Sequence, residues 1–203
     1  DAHGGGVIVV GLTGSIAMGK STVAAMFAEF GVPTFNADDA VRVFYSGEDA
    51  KSIEAAFPGV MVEGKIDRER LGARVLGDAD ALQRLEGLVH PAVAKARVQF
   101  LERAAAEGRR MAIVDVPLLF ETGGHSDVDL IIVVSAPESV QRARAMARPG
   151  MTEAKLEAVL SRQVSDADKR RGAHFIIDTR GAHDLTRAVV GQFMRAAAAL
   201  AGG

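Results

Sequence analysis

The chain has 203 residues, with 24 Lys and Arg against 26 Asp and Glu, so its formal net charge at pH 7 is −2. This balance excludes a protein that is held on nucleic acid by bulk positive charge. Hydrophobic residues make up 48% and charged residues 25%, a composition that buries a core and excludes wholesale disorder. There is no cysteine, so disulfides, thiolate nucleophiles and thiolate metal sites are excluded too.

The length favours a single domain, since domains typically take roughly 100–200 residues, and we assign it to residues 7–200. Residues 1–6 are small and polar, and we expect them to form a disordered N-terminus. The apolar runs are far shorter than the roughly 20 residues that span a bilayer, and no export signal opens the sequence. These features predict a cytoplasmic protein with no membrane or nucleic acid partner, and they leave its oligomeric state open.

Short apolar runs without polar alternation recur along the chain and predict strands covered on both faces of a parallel sheet. Amphipathic helical patterns separate these runs. Strands that alternate with helices predict an α/β fold in which helices flank the sheet. The expected strands cover residues 7–12, 34–36, 111–116, 130–134 and 175–177.

The segment from about 48 to 110 carries helical patterns and no strong strand, apart from a hairpin expected between Val60 and Ile66. We interpret it as a helical insertion that caps the sheet. One helix is expected to begin at Pro91, because proline is favoured in the first helical turn.

The most specific motif runs from Gly14 to Ser21 and matches the phosphate-binding pattern G-x-x-x-x-G-K-[ST] between the first strand and the first helix. In such a turn, backbone N–H groups and the helix N-terminus hold the phosphates of a nucleoside triphosphate. Lys20 reaches the β- and γ-phosphates, and the Ser21 hydroxyl ligates Mg²⁺. The motif predicts nucleoside-triphosphate binding but does not identify the phosphate acceptor.

Two carboxylates stand where predicted strands end. Asp38 follows the second strand and is a candidate to orient an attacking hydroxyl, although Asp38 or Asp39 capping the next helix explains the sequence equally well. Asp115 closes the strand that begins at Met111, where a carboxylate would hold Mg²⁺. A capping or turn role for Asp115 before Pro117 is nearly as compatible with the pattern.

Further polar residues have weaker signals. His90 could enter a cleft, but a helix start at His90-Pro91 is the simpler explanation. The five histidines show no metal-ligand spacing, which argues against zinc. The Arg-rich stretch over about 137–171 is either a solvated basic face or a lid that stabilises a transferring phosphoryl group. Arg144 and Arg148, four residues apart, are the best candidates for that second role.

With these residues in view, the chain resembles the dephospho-CoA kinase family over about residues 7–195. The family's GLTGGIGSGKST-type opening corresponds to the segment from Gly11 to Thr22, and its Asp-Ala-Asp corresponds to the segment from Asn36 to Asp38. The order of the further matches makes the resemblance specific: Asp67-Arg68 with Leu71, Leu85-Glu86, His90-Pro91, the segment from Pro117 to Glu121, Val128-Asp129, Gln141, Arg144, Arg148, Gln163, Ile177-Asp178 and Gly181.

The resemblance implies a P-loop NTPase-type sheet with a helical acceptor-binding insertion and an Arg-rich lid. It implies ATP as donor, Mg²⁺, and transfer to the ribose 3′-hydroxyl of dephospho-CoA; another small acceptor, such as a nucleoside or sugar acid, is the alternative. The implied catalytic residues are Asp38, Lys20 and Arg144, and Ser21 with Asp115 would hold the metal. The residues implied to bind the donor are Gly14, Ser15, Ile16, Ala17, Met18, Gly19, Lys20, Ser21, Thr22, Arg144 and Arg148. The residues implied to bind the acceptor are Asp38, Arg68, His90, Leu119 and Glu121.

Three positions depart from the family pattern. Ala17 stands where glycine is usual and adds a methyl group beside the expected triphosphate. Asn36 replaces the first acid of the Asp-Ala-Asp segment and leaves Asp38 as the candidate base. Thr179 stands where asparagine is common near the base-binding loop.

Overall fold

The structure is a computed structural model that describes residues 6–200, with side chains as far as residue 197. The expectation of disorder at the N-terminus falls almost wholly outside this range. The strands are β1 (Ile8–Thr13), β2 (Thr34–Asn36), β3 (Met61–Val62), β4 (Lys65–Ile66), β5 (Met111–Asp115), β6 (Leu130–Ser135) and β7 (Phe175–Asp178). The helices are α1 (Lys20–Glu29), α2 (Ala37–Phe44), α3 (Ala50–Ala56), α4 (Arg68–Val75), α5 (Ala79–Ala106), α6 (Glu138–Met146), α7 (Glu153–Leu160), α8 (Asp166–Arg171) and α9 (His183–Leu200).

Five strands form one sheet in the order β2-β5-β1-β6-β7, and the pairs β1–β5, β1–β6 and β6–β7 are parallel. The four strands predicted from apolar runs and the weaker fifth strand predicted over residues 34–36 are all confirmed, within one residue at their ends. The central strand β1 lies between β5 and β6, so the turn after β1 opens at the carboxyl edge where the chain switches direction across the sheet. Ligands of open α/β sheets bind at this kind of position.

Alternating residues of β6 explain why its sequence is apolar without interruption. Ile132 and Val134 belong to a core cluster that also holds Phe27 of α1. Ile131 and Val133 belong to a second cluster on the other face. A strand buried on both faces needs apolar side chains at every position, as expected of a parallel sheet.

The chain divides into two compact units, the second of which spans Asn36–Arg103. Its core packs α2, α3 and the β3–β4 hairpin around Ile53 and Val60. The hairpin lies in the interval predicted from the sequence, and Glu63 and Gly64 turn it with φ of 50° and 78°. The unit begins before the expected insertion of about 48–110, because Phe44 at the end of α2 is buried in the same core.

Helix α5 corrects one expectation. It runs through Pro91 rather than beginning there. A proline inside a helix removes one backbone hydrogen bond, at a cost of about 3 kcal/mol, but α5 also buries Ala81, Leu85 and Ala104 along its length. That burial on both sides of Pro91 favours one continuous helix. Over residues 6–200, no helix combines the length and the apolar character needed to cross a membrane.

Candidate active site

The turn between β1 and α1 has the backbone of a phosphate-binding loop. Gly19 adopts a left-handed φ of 91° at the start of α1, a conformation that is easy only for glycine. Gly14 is needed for a different reason: a Cβ there would lie 2.5 Å from the carbonyl oxygen of Val134 in β6. The loop therefore rests directly on the sheet backbone, with its N–H groups at the N-terminus of α1.

Ala17 shows how the first departure from the family pattern is accommodated. Its φ is 61°, a left-handed conformation that costs a non-glycine residue about 1–2 kcal/mol. The methyl group is buried and packs against Ala145 of α6 and Leu156 of α7. Side-chain packing thus offsets backbone strain at this position.

Lys20 and Asp115 form an ion pair between Nζ and Oδ1. Asp115 is 2% exposed and Lys20 is 15% exposed, so the pair lies under the loop rather than on the surface. The carboxylate of Asp115 thus points at the lysine of the phosphate-binding loop. The geometry keeps Lys20 at the loop and gives it a buried counter-charge.

Two glutamines bind the backbone of Ile16, in the middle of the loop, one at its N–H group and one at its carbonyl oxygen. The Ile16 N–H donates to Oε1 of Gln163 at 3.2 Å, and the Ile16 carbonyl accepts from Nε2 of Gln141 at 2.9 Å. Gln141 lies on α6 and Gln163 follows α7. Both appear among the sequence matches, but only the structure assigns them to the loop, because their partners are backbone atoms about 120 residues or more away along the chain.

A cavity of about 180 Å³ adjoins the loop. It brings Arg144 and Arg148 together with Ala17, Gly19 and Thr179. The Arg144 guanidinium donates to Oγ1 of Thr179 at 2.9 Å and to the Thr179 carbonyl at 2.5 Å. The two arginines predicted to act on phosphate thus both line the space beside the loop.

Arg142 belongs to the same Arg-rich stretch but has a different environment. It pairs with Glu138, Glu153 and Glu157 and so joins α6 to α7. Hydrogen bonds that the Arg142 guanidinium donates to Glu157 and, second, to Glu138 raise the pKa of Arg142 above its usual range. Its guanidinium is committed to carboxylates, so the stretch separates into arginines that hold helices together and arginines that face the loop.

In the second unit, the first turn of α2 presents Asp38 to solvent. The Asn36 side chain caps α2 by accepting from the N–H groups of Asp38 and Asp39 at 2.8 and 3.1 Å. The alternative in which Asp38 or Asp39 is the cap is therefore wrong. Asn36 performs that function, as its amide oxygen allows, and the Asp38 carboxylate stays exposed.

Asp38 lines a cavity of about 690 Å³ within the second unit. Arg68 lines the same cavity, and its guanidinium lies 5.6 Å from the centre of the Tyr45 ring. Burial raises the pKa of the Tyr45 phenol, and the nearby Arg68 charge opposes that shift. The cavity is lined by two acids, Asp38 and Asp39, by two arginines, Arg42 and Arg68, and by apolar residues that include Leu71 and Leu85. Such a lining combines charged groups of both signs with an apolar surface.

A family model described as dephospho-CoA kinase matches residues 8–184. The chain belongs to the dephospho-CoA kinase family. A dephospho-CoA kinase from Mesorhizobium japonicum is 56% identical over 184 residues, which cover 91% of this chain and 93% of that protein. A crystal structure from Thermus thermophilus is 31% identical with a TM-score of 0.77, over 93% of this chain and 97% of that one. A dephospho-CoA kinase structure from Campylobacter jejuni, 23% identical with a TM-score of 0.66 over 93% and 96% of the two chains, shares the fold.

The remaining residues that the family resemblance implies lie in three environments. His90 is exposed on α5. Leu119 is only 1% exposed and packs with Ile131 and Val133, so it offers almost no surface to a ligand. Glu121 accepts from the Val164 N–H at 2.8 Å.

Glu121 also pairs with Lys169, whose side chain is fully buried, at 2.9 Å. Burial alone would raise the pKa of Glu121, but the Lys169 ammonium and the backbone N–H groups outweigh it and hold the pKa below its usual value. Sequence reasoning missed Lys169. It is one of only six lysines in the chain, yet no motif distinguishes a buried lysine from an exposed one.

Proposed function

We propose that this protein transfers the terminal phosphoryl group of ATP to the ribose 3′-hydroxyl of dephospho-CoA, giving CoA and ADP in the last step of CoA synthesis. The observation that carries the proposal is the family match over residues 8–184, which includes the phosphate-binding loop and the whole second unit. The loop supports a nucleoside triphosphate as donor, and the family supports dephospho-CoA as acceptor.

On the donor side, the segment from Gly14 to Thr22 would hold the triphosphate. The N-terminus of α1 and the loop N–H groups favour negative charge there. Lys20 would neutralise the β- and γ-phosphates as it exchanges part of its contact with Asp115 for phosphate oxygens. Arg144 and Arg148 would balance the charge that spreads over the transferring phosphoryl group.

Mg²⁺ fits the donor set at this site. Ser21 and Asp115 supply hydroxyl and carboxylate oxygens, the ligands that Mg²⁺ prefers. Across residues 6–200, no group of three or more His, Asp or Glu side chains could hold a metal alone. Mg²⁺ in kinases is commonly held by one or two carboxylates together with phosphate oxygens and water. When bound, Mg²⁺ would neutralise charge on the β- and γ-phosphates.

On the acceptor side, Asp38 would hold the attacking hydroxyl and finally take its proton. Its exposed carboxylate and the Asn36 cap that fixes the helix beneath it support this role. Because phosphoryl transfer is loose, proton removal can come late, so orientation by Asp38 matters as much as its basicity. Arg68, in the same cavity, would contact a phosphate of the acceptor.

His90, Leu119 and Glu121 enter the proposal through the family resemblance. Glu121 would act through the segment that it holds by Val164 and Lys169, and Leu119 through the packing of the loop after β5. The stretch 137–171 would act as the lid over the donor. A cytoplasmic location, and the lack of a nucleic acid partner, likewise remain predictions.

The test offers the purified protein ATP with Mg²⁺ and one acceptor at a time: dephospho-CoA, adenosine or gluconate. Mass spectrometry identifies the phosphorylated product, and phosphorus NMR locates the new phosphate. We expect transfer to the 3′-hydroxyl of dephospho-CoA only. Transfer to adenosine or gluconate alone would refute the acceptor assignment, and nucleotide binding without any transfer would indicate a non-catalytic regulator. A Lys20→Met preparation controls for contaminating kinases.

A further inference from the structure

Thr179 contacts both the phosphate-binding loop and Arg144. It follows β7 directly and is 5% exposed. Its Oγ1 donates to the carbonyl oxygen of Met18, within the phosphate-binding loop, at 2.7 Å. The same Oγ1 and the Thr179 carbonyl accept the two N–H bonds from Arg144. Thr179 thus donates its hydroxyl proton to the loop and accepts from Arg144 with its hydroxyl oxygen and its carbonyl oxygen.

We propose that Thr179 is a positioning residue for the donor nucleotide and acts by fixing Arg144 beside the loop before ATP binds. The proposal rests on the proposed function only in taking a nucleoside triphosphate as the ligand of the loop. It does not depend on which molecule accepts the phosphate.

The directions of the hydrogen bonds at the Thr179 hydroxyl support this assignment. A threonine hydroxyl has one proton and two acceptor lone pairs. The short contact to Met18 uses the proton, so the lone pairs face the Arg144 guanidinium. With the Thr179 carbonyl as a second acceptor, the planar fork of Arg144 is held at two points. A guanidinium held at two points loses less conformational freedom when a phosphate arrives, which strengthens binding.

Gly19 of the loop lies close to Thr179. A Cβ placed on Gly19 would lie 3.3 Å from Oγ1 of Thr179, tighter than an ordinary contact. A side chain at position 19 would therefore press against Thr179, and glycine leaves the space that Thr179 occupies beside the loop. A change at the hydroxyl should reach both the loop and Arg144, whereas the carbonyl contact to Arg144 persists in any variant.

The experiment compares Thr179→Val with Thr179→Ser, since valine preserves shape without a hydroxyl and serine restores the hydroxyl. Affinity for a non-hydrolysable ATP analogue is measured by calorimetry without acceptor, and KM and kcat are measured separately. For Thr179→Val we expect about tenfold weaker nucleotide binding and a similar rise in KM for ATP, with kcat within about threefold. Thr179→Ser should restore both to within about threefold.

A double-mutant cycle separates this role from a merely structural one. If Thr179 acts through Arg144, Thr179→Val should weaken nucleotide binding by less than about twofold in an Arg144→Ala background. Thr122→Val is the matched control, because it removes a hydroxyl that donates to a backbone carbonyl, that of Leu118, at 2.8 Å. It should leave the affinity unchanged.

Equal effects of Thr179→Val with and without Arg144, or unchanged affinity in Thr179→Val, would overturn the proposal. If valine prevents folding, Thr179→Ala supplies the same comparison. Since the calorimetry contains no acceptor, a wrong acceptor assignment would leave this result standing, and the two failures remain distinguishable.

Discussion

Lys20 and Asp115 are joined across two neighbouring strands of the sheet. Lys20 begins α1 after the turn that follows β1, and Asp115 is the last residue of β5. The register places Leu12 of β1 opposite Asp115, so the carboxylate lies where the chain leaves β1 for the turn. The pairing holds the lysine at the loop and gives the buried acid a cation, so one contact serves both folding and donor binding.

This pairing predicts a stability effect for Lys20→Met. The substitution leaves the Asp115 carboxylate buried without its cation, which should lower the free energy of unfolding by about 2–3 kcal/mol. Urea unfolding monitored by circular dichroism measures the change. The matched control is Lys51→Met, which breaks an exposed pair with Glu48 and should cost less than about 0.5 kcal/mol. Equal stability of Lys20→Met and the wild type would contradict the buried pair.

Substitutions at two loop positions, Gly14 and Ala17, should affect stability to different extents. Gly14→Ala places a methyl group against the Val134 carbonyl, which cannot move without disturbing β6. We expect a loss of about 2 kcal/mol in stability and a large loss of nucleotide affinity. Ala17→Gly relieves a left-handed φ but loses a buried methyl group, so its stability should stay within about 1 kcal/mol of wild type. Thermal unfolding measures the stability of both variants, and calorimetry measures their nucleotide affinity. A Gly14→Ala variant with wild-type stability and affinity would disprove the close approach of residue 14 to the Val134 carbonyl.

The Glu121–Lys169 pair predicts a pH dependence. The pKa of Glu121 is lowered in the folded protein, so its contribution is present above the ordinary glutamate pKa of about 4.3 and is lost as the pH falls through the folded value. At pH 7, Glu121→Gln should therefore be less stable than wild type by about 2 kcal/mol, because Lys169 stays buried without a counter-charge. The difference in unfolding free energy between Glu121→Gln and wild type should become smaller below about pH 4.

Urea unfolding at pH 7 and at pH 3.5 measures that gap. Glu48→Gln, from an exposed pair, serves as the control and should change stability by less than about 0.5 kcal/mol at either pH. A gap between Glu121→Gln and wild type that stays constant with pH would show that the carboxylate charge does not carry the contribution.

The sheet and the phosphate-binding loop could be predicted because their signals are local. Continuous apolar runs mark strands buried on both faces, and the loop needs fixed residue types at fixed spacing. The course of α5 could not be predicted from the local preference of Pro91, because burial of distant positions such as Ala81 and Ala104 outweighs it.

The contacts that organise the site were beyond sequence reasoning for another reason. Gln163 binds a backbone N–H 147 residues away, and Thr179 binds a carbonyl 161 residues away. Such partners are set by the sheet order, which no spacing along the chain encodes. The cap on α2 shows the same limit at short range: the sequence suggested Asp38 or Asp39 as the cap, whereas the structure has Asn36 in that position.

Asp38 carries the last prediction, since its exposed carboxylate is proposed to orient the acceptor hydroxyl. Asp38→Asn keeps the size of the side chain and removes the base, so kcat should fall at least about 100-fold while affinity for an ATP analogue stays nearly unchanged. Asp49→Asn is the matched control in the same unit, because the Asp49 side chain makes no capping hydrogen bond at the start of α3. Turnover by Asp38→Asn equal to that of Asp49→Asn would exclude Asp38 as the base.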